Sequence, residues 1–212
     1  MQRLMAEAYR LHLIRGVDRL LQADGIVRIA GVDEAGRGCL AGPVVAAAVI
    51  VDPACLVAGV DDSKRLLEPL REELSSAIQS SSKAWAVSSV PAAEIDRGNI
   101  LRATKEAMVR CLARLKPQPQ CAVIDAVALD LSYPSLCLFR AETLSYSVAC
   151  ASILAKVARD RMMRRFDRLF PAYGFASNKG YGAVEHREAL RRFGPSPIHR
   201  LTFKSVVPRR AA

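Results

Sequence analysis

Two periods of apolar and polar positions run along the chain. From the N-terminus to about Asp24, Leu4, Tyr9, Leu11, Ile14, Val17, Leu20 and Leu21 recur at helical spacing and predict one helix packed on the main body. Ile26 to Val32 is strand-like, and Pro43 to Val51 is almost wholly apolar, the pattern of a strand buried on both faces. Glu68 to Ser80 predicts a helix and Ala84 to Val90 a strand. Ala92 to Leu115 follows as a long helical stretch, weakened at Gly98 and ended by Pro117 and Pro119. Cys121 to Asp125 and Leu136 to Phe139 are short strands. Ser147 to Leu169 is helical again, and Val184 to Phe193 is a last helix stopped by Gly194. Strands interleaved with helices around a mixed sheet give an α/β domain.

The 212 residues suffice for one large domain with a small appendage, and 51% hydrophobic with 25% charged residues is ordinary for a globular protein. No apolar run reaches the roughly 18 residues of a membrane span. Glu7, Arg10 and Arg15 interrupt what would have to be the core of a secretory signal, so a cytoplasmic protein is expected. Six cysteines form no CxxC pair and no zinc spacing with histidine, and most lie in apolar runs as small, reduced core residues.

Charge alters this picture. The first 155 residues hold 17 basic and 17 acidic residues, whereas residues 156–212 hold 14 and 4, so the net charge of +10 sits in the last quarter. A one-sided basic surface selects a polyanion, nucleic acid first and an anionic membrane second. No long amphipathic helix with a bulky apolar face supports the membrane version.

Chemistry concentrates at Gly31-Val-Asp-Glu-Ala-Gly-Arg-Gly38, where a strand runs into adjacent carboxylates and then a glycine turn. Asp33 and Glu34 would point to opposite faces within a strand and can share a site only at its end. Two carboxylates 4 Å apart repel by about 4 kcal/mol at an effective dielectric of 20, and a divalent cation relieves this. Oxygen-only ligands favour Mg²⁺ or Mn²⁺ over zinc. Gly36-x-Gly38-x-x-Ala41 also matches a dinucleotide fingerprint, but Gly42-Pro43 and a Val/Ala run follow where a helix is required. A tight turn flanked by surface acids is the plain alternative. Asp125 closes a second strand and Glu142 follows a third. Four carboxylates at one sheet edge would suit two metal ions about 4 Å apart, the arrangement used for phosphodiester hydrolysis. With a basic C-terminal quarter, this points to a nuclease.

These segments together resemble the bacterial ribonuclease HII family, the type 2 ribonucleases H. The resemblance rests on Gly31–Gly38, Ala41-Gly-Pro-Val-Val-Ala-Ala-Ala-Val49, Asp62-Ser-Lys-Arg-Leu66, Ala151-Ser-Ile-Leu-Ala-Lys156 with Arg159-Asp160, Pro171-x-Tyr-Gly-Phe-Ala176, Lys179-Gly-Tyr181 and His199-Arg200-x-x-Phe203, in the family's order. It implies a ribonuclease H-like fold with a mixed central sheet flanked by helices and a helical C-terminal part. Residues 26–206 would form the catalytic domain, 1–25 an N-terminal helical extension and 207–212 a basic tail. It implies a monomer acting on RNA–DNA hybrids and on duplex DNA containing ribonucleotides, with Mn²⁺ or Mg²⁺, two ions in the reactive complex. The cut falls 5′ of the ribonucleotide and leaves 3′-hydroxyl and 5′-phosphate ends.

By the same resemblance Asp33, Glu34, Asp125 and Glu142 are the catalytic, metal-binding acids. The backbone of Gly36, Arg37 and Gly38, with Tyr181, would read the ribose 2′-hydroxyl, the group that separates RNA from DNA. Lys64 would contact a phosphate, and Ser152 and Lys156, one helical turn apart, would face the nucleic-acid backbone near the site. Three positions depart from the family pattern. Ala126 follows Asp125 where Gly is usual, Ala141-Glu142 replaces Gly-Asp, and Asn178 stands where His is usual. The alternative these departures leave is a catalytically impaired hybrid-binding protein. The type 3 enzymes carry a sizeable N-terminal domain, for which 25 residues are too few. His186 and His199 are expected to be structural, and no sliding-clamp motif stands out after Phe203.

Overall fold

The computed structural model describes residues 1–206, so the predicted basic tail 207–212 lies outside the described residues. Strands β1 (Ile29–Ala35), β2 (Val44–Ile50) and β3 (Ala84–Val90) form an antiparallel meander, and β4 (Cys121–Asp125) and β5 (Ser135–Leu138) add to it parallel to β1. The order across the sheet is β3-β2-β1-β4-β5.

Strand β2 is buried at every position, as its unbroken apolar run requires. Its alternate residues feed two cores. Val44, Ala46, Ala48 and Ile50 pack with Ala107, Met108, Cys111 and Leu112 of helix α5 (Ile100–Arg114), while Ala47 and Val49 meet Cys150, Ile153 and Leu154 of α6 (Tyr146–Leu169). Helix α6 lies directly on β1 because Gly31 has no side chain: a Cβ there would overlap the Ser147 backbone. Among the described residues no helix is long and apolar enough to cross a membrane.

Several boundaries differ from the sequence expectation. The N-terminal segment is two helices, α1 (Gln2–Ile14) and α2 (Gly16–Ala23), and its packed stripe is narrower than the spacing suggests. Leu11, Ile14, Val17 and Leu21 reach the body, whereas Leu4, Tyr9 and Leu20 are exposed. The long stretch 92–115 splits at Gly98 into α4 (Ala92–Arg97) and α5, whose N-terminus is capped by the Asn99 side chain accepting from Arg102 N–H at 2.9 Å. Helix α3 (Glu68–Ser81) lies beside α6, and short α7 (Phe175–Asn178) and α8 (Val184–Phe193) complete the C-terminal part.

The shift that bears on the site is in β1. The strand begins at Ile29 rather than Ile26 and continues to Ala35, so Asp33 and Glu34 lie inside it, opposite Ala47 and Ala46 of β2. On its other side, pairing with β4 ends at Val32–Ile124. The acids therefore need no bend of the backbone: β4 parts from β1 just where the carboxylates begin, which opens a crevice at the carboxyl ends of parallel strands.

Candidate active site

Asp33 shares the α6 face of β1 with Gly31 and is buried, its Oδ1 accepting from the Glu34 backbone N–H at 2.7 Å. Burial drives its carboxyl well above the ordinary range, and the negative charges of Glu34 and Asp125 add to this while the Ser152 hydroxyl opposes it. Glu34 is also raised by burial and by Asp125, with Arg37 and Lys64 pulling the other way. Arg37 lies 3.3 Å from Glu34 Oε1. Asp125, at the end of β4, accepts from the Ala141 backbone N–H at 2.9 Å and so fixes the 3₁₀ turn Ala141–Thr143 that carries Glu142. Glu142 is buried, and its carboxyl is raised by burial, then by Asp125 and Asp62, against Lys64.

Asp33, Glu34 and Glu142 thus each feel the charge of Asp125 across the crevice, and Asp33 also feels that of Glu34. Glu34 Oε2 and Glu142 Oε2 are buried with no hydrogen-bond partner. Mutually repelling carboxylates with orphaned oxygens and no competing sulfur or imidazole suit a hard divalent cation. Among the described residues no three His, Cys, Asp or Glu side chains are drawn together as a finished ligand set. The donors therefore fit the group chemically while their closure on a metal is left to binding.

The exposed Lys64 sits in a turn made by Asp62, whose Oδ1 accepts from Lys64 N–H at 2.9 Å. Between them Ser63 is buried and its hydroxyl meets that of Ser152 at 2.9 Å, which ties this turn to α6 beside Asp33. Ser152 thus belongs to the acidic crevice. One turn further along α6, the Lys156 ammonium is held 2.7 Å from Asp160.

The glycine loop begins where β1 ends. Gly36 has φ +97° and a Cβ there would overlap the Arg159 guanidinium, so two independent constraints demand glycine. Gly38 is different: its φ is ordinary and a Cβ would meet nothing within 4 Å. Behind the loop lie two fully buried arginines. Arg200 donates to the carbonyls of Gly36 (2.7 Å), Arg37 (2.8 Å) and Gly42 (3.0 Å). Arg159 donates to those of Ala41 (3.1 Å), Pro43 (3.1 Å) and Lys179 (2.8 Å). Burial lowers Arg200 to about 10, which leaves it cationic at neutral pH.

Tyr181 stands beside this loop with its ring half exposed, the Arg159 guanidinium 5.9 Å from the ring centroid. Burial pushes its phenol up to about 12. Its carbonyl is 2.7 Å from His186 Nδ1, and His186 Nε2 lies 2.9 Å from His199 Nε2. The Ser196 backbone N–H donates to His199 Nδ1 at 2.9 Å, so that nitrogen carries no proton. The remaining protons are then fixed: His199 donates from Nε2 to His186, and His186 donates from Nδ1 to Tyr181. Both imidazoles are neutral, as expected of structural histidines. Asn178 bridges the same turn, donating to the Tyr173 carbonyl at 2.7 Å and accepting from Gly180 N–H at 2.8 Å.

Sequence reasoning assigned no role to Arg159, Arg200 or Ser63, although each falls in a quoted motif. It also missed Asp18 of α2, a buried carboxylate that accepts from Tyr146 N–H (2.7 Å) and the Ser147 hydroxyl (2.6 Å) at the N-terminus of α6. The basic quarter is less free than its composition suggests. Arg161 and Arg164 pair with Glu68 and Glu72 of α3, and Lys179 lies 3.4 Å from Glu68. Arg165, Arg168, Arg191 and Arg192 remain exposed on α6 and α8.

Comparison with known proteins gives the family and the fold. The family model described as Ribonuclease HII matches residues 30–206. Ribonuclease HII of Moorella thermoacetica is 49% identical over 93% of this chain and 97% of that protein. Ribonuclease HII of Chloroflexus aurantiacus is 48% identical over 90% of this chain and 93% of that protein. The crystal structure of ribonuclease H2 from Pyrococcus horikoshii matches with a TM-score of 0.73 at 28% identity, over 84% of this chain and 95% of that one. The chain belongs to the ribonuclease HII family, nucleases that cleave the RNA strand of RNA–DNA hybrids.

Proposed function

We propose that this ribonuclease nicks duplex DNA 5′ of an embedded ribonucleotide, as well as the RNA strand of continuous hybrids, and leaves 3′-hydroxyl and 5′-phosphate ends. The observation that carries the reading is that an acidic crevice and an open glycine loop adjoin at the end of β1, joined by the Glu34–Arg37 ion pair at 3.3 Å. Asp33, Glu34, Asp125 and Glu142 would hold Mg²⁺ or Mn²⁺. When bound, such ions supply an activated water and stabilisation of the leaving oxygen. The chain's own residues do the rest. Lys64, exposed and within electrostatic reach of Glu34 and Glu142, meets the phosphate beside the acids. Gly38 lets the ribose approach the main chain, and the half-exposed Tyr181 ring covers the next sugar and rejects a second 2′-hydroxyl. Glu142 is one methylene longer than the family's usual Asp, and its unpartnered oxygen remains available to a cation or its waters.

The test is cleavage of a DNA duplex carrying one ribonucleotide, in Mg²⁺ and separately in Mn²⁺, with Asp33→Asn as control. A single nick 5′ of the ribonucleotide, absent in the variant, is the expected result. Cutting of continuous hybrids alone would remove junction reading from the proposal. Binding of both substrates without any cut would make the chain a hybrid-binding protein.

A further inference from the structure

Arg200 is fully buried, yet among the described residues it faces no carboxylate within ion-pair distance. Placing an unpaired cation in the interior is costly, so its partners indicate what the fold gains from it. Those partners are carbonyls, two of them on consecutive residues: Gly36 at 2.7 Å and Arg37 at 2.8 Å. Both peptide bonds are trans. In a trans peptide the N–H points opposite to the C=O. Drawing the Gly36 carbonyl inward turns the Arg37 N–H outward, and drawing the Arg37 carbonyl inward does the same for Gly38. Neither amide has a backbone acceptor among the described residues.

We infer that Arg200 is a positioning residue for substrate discrimination: it aims the Arg37 and Gly38 amides out of the protein so that both donate to one oxygen of the ribonucleotide, the 2′-hydroxyl. The inference rests on the proposed reading of the glycine loop and adds the residue that sets it. The freedom of Gly38 supports it independently. Neither φ nor packing requires glycine there, and the position is exposed, so the missing side chain serves an approach from outside. The third contact, to Gly42 at 3.0 Å, anchors the guanidinium at the far side of the loop. A planar fork of five donors can span three carbonyls at fixed angles, whereas a lysine ammonium at the end of a flexible stem cannot.

Two outward amides could also hold a phosphate oxygen, and the experiment separates these sources. In an Asp33→Asn background, which prevents turnover, binding is measured by fluorescence anisotropy to a duplex with one ribonucleotide and to the same duplex in all-DNA form. The ratio of the two affinities is the readout, because a merely structural role would move both together. Arg200→Lys is expected to lower the preference for the ribonucleotide by about tenfold, the scale of one or two hydrogen bonds. Affinity for the all-DNA duplex should stay within about twofold. An unchanged preference in folded Arg200→Lys protein overturns the inference, as does a parallel loss on both duplexes, the mark of a merely structural arginine or of amides that hold a phosphate. Absence of any preference in the protein with Arg200 intact would instead refute the loop reading on which the inference stands. If Arg200→Lys does not fold, glycine-labelled protein with Arg200 intact decides: the Gly38 amide should be protected from exchange by the ribonucleotide duplex and not by the DNA duplex. Equal protection, or none, overturns the assignment.

Discussion

In the crevice, Asp33, Glu34 and Glu142 are carboxyl groups raised by burial and by neighbouring carboxylates, Asp125 for all three, and two of their oxygens have no partner. A few residues along, the glycine loop rests on Arg159 and Arg200, where every guanidinium nitrogen finds a carbonyl 2.7–3.1 Å away. One region carries charge in excess and awaits an external cation, whereas the other is satisfied from within and fixed before substrate arrives. On the function proposed above, the difference follows the ligands. A metal ion brings enough charge to reorganise its own donors, but a neutral hydroxyl can be distinguished from hydrogen only by donors already in place.

The comparison breaks most visibly at Asp33. Asp33→Asn should reduce nicking to background, and in metal-free protein at pH 8 it should raise the thermal midpoint because it removes a buried, repelled carboxylate. The sign follows from linkage: a carboxyl whose folded value lies above its unfolded one stabilises the fold at low pH, and that contribution is lost as pH rises. Scanning calorimetry of metal-free protein is the check, and a lower midpoint would show that the crevice is not strained by its own charge. The two loop glycines should separate next. Gly36→Ala adds both an overlap with Arg159 and strain at φ +97°, together about 2–4 kcal/mol. Gly38→Ala should leave unfolding within about 0.5 kcal/mol of the parent and lower nicking of ribonucleotide duplexes. Urea titrations beside nicking assays measure both. Equal destabilisation by the two changes would erase the distinction between a glycine kept for packing and one kept for substrate.

The crevice was the more legible region. Strands β2 and β4 announce themselves as apolar runs, and an acid at the end of each parallel strand or just beyond it is a local pattern. That Asp33 and Glu34 sit within a strand was not legible, because the end of β4 pairing at Ile124 depends on a partner about 90 residues away in sequence. The loop's support was hidden for a different reason. Arg200 and Gly36 are 164 residues apart, and a side chain that binds carbonyls imposes no requirement on the identity of the residues it binds. Hydropathy also ranks arginine as a surface residue, so composition placed all 14 basic groups of residues 156–212 on the outside. Asp18 escaped notice likewise: it caps a helix whose first residue lies 128 positions later.

The histidine pair gives the frame a pH limit opposite to that of the crevice. Burial and His186 lower His199 to about 4. Neutral His199 therefore supports the fold fully above its ordinary value of about 6.5, and this support is lost as pH falls from there to about 4. Acid should loosen the Tyr181 side while it relieves the carboxylate side. His199→Asn is expected to lower the urea midpoint at pH 8, where the support of the buried imidazole is complete, and to flatten its fall between pH 6.5 and 4. A fall as steep as that of the parent would assign the acid sensitivity to other groups.

The smallest effect is expected at Ala126, and it bears on how much strain the crevice holds in its backbone. Ala126 follows Asp125 and has φ +48°, a left-handed conformation that costs a residue with a Cβ about 1–2 kcal/mol. Its N–H donates to the Leu138 carbonyl at 2.9 Å, so β5 holds it in that conformation. Ala126 is exposed and its methyl packs against no core, which leaves little to lose on removal. Ala126→Gly should therefore stabilise the protein by about 1 kcal/mol, less than the full strain because glycine also frees the unfolded chain. The measurement is the urea midpoint at constant m-value. A gain would show that the departure from glycine burdens the β4 turn without serving it. A loss would mean that the stiffer alanine helps hold Asp125 against the repulsion of its neighbours, and the crevice would then share some of the rigidity ascribed above to the loop alone.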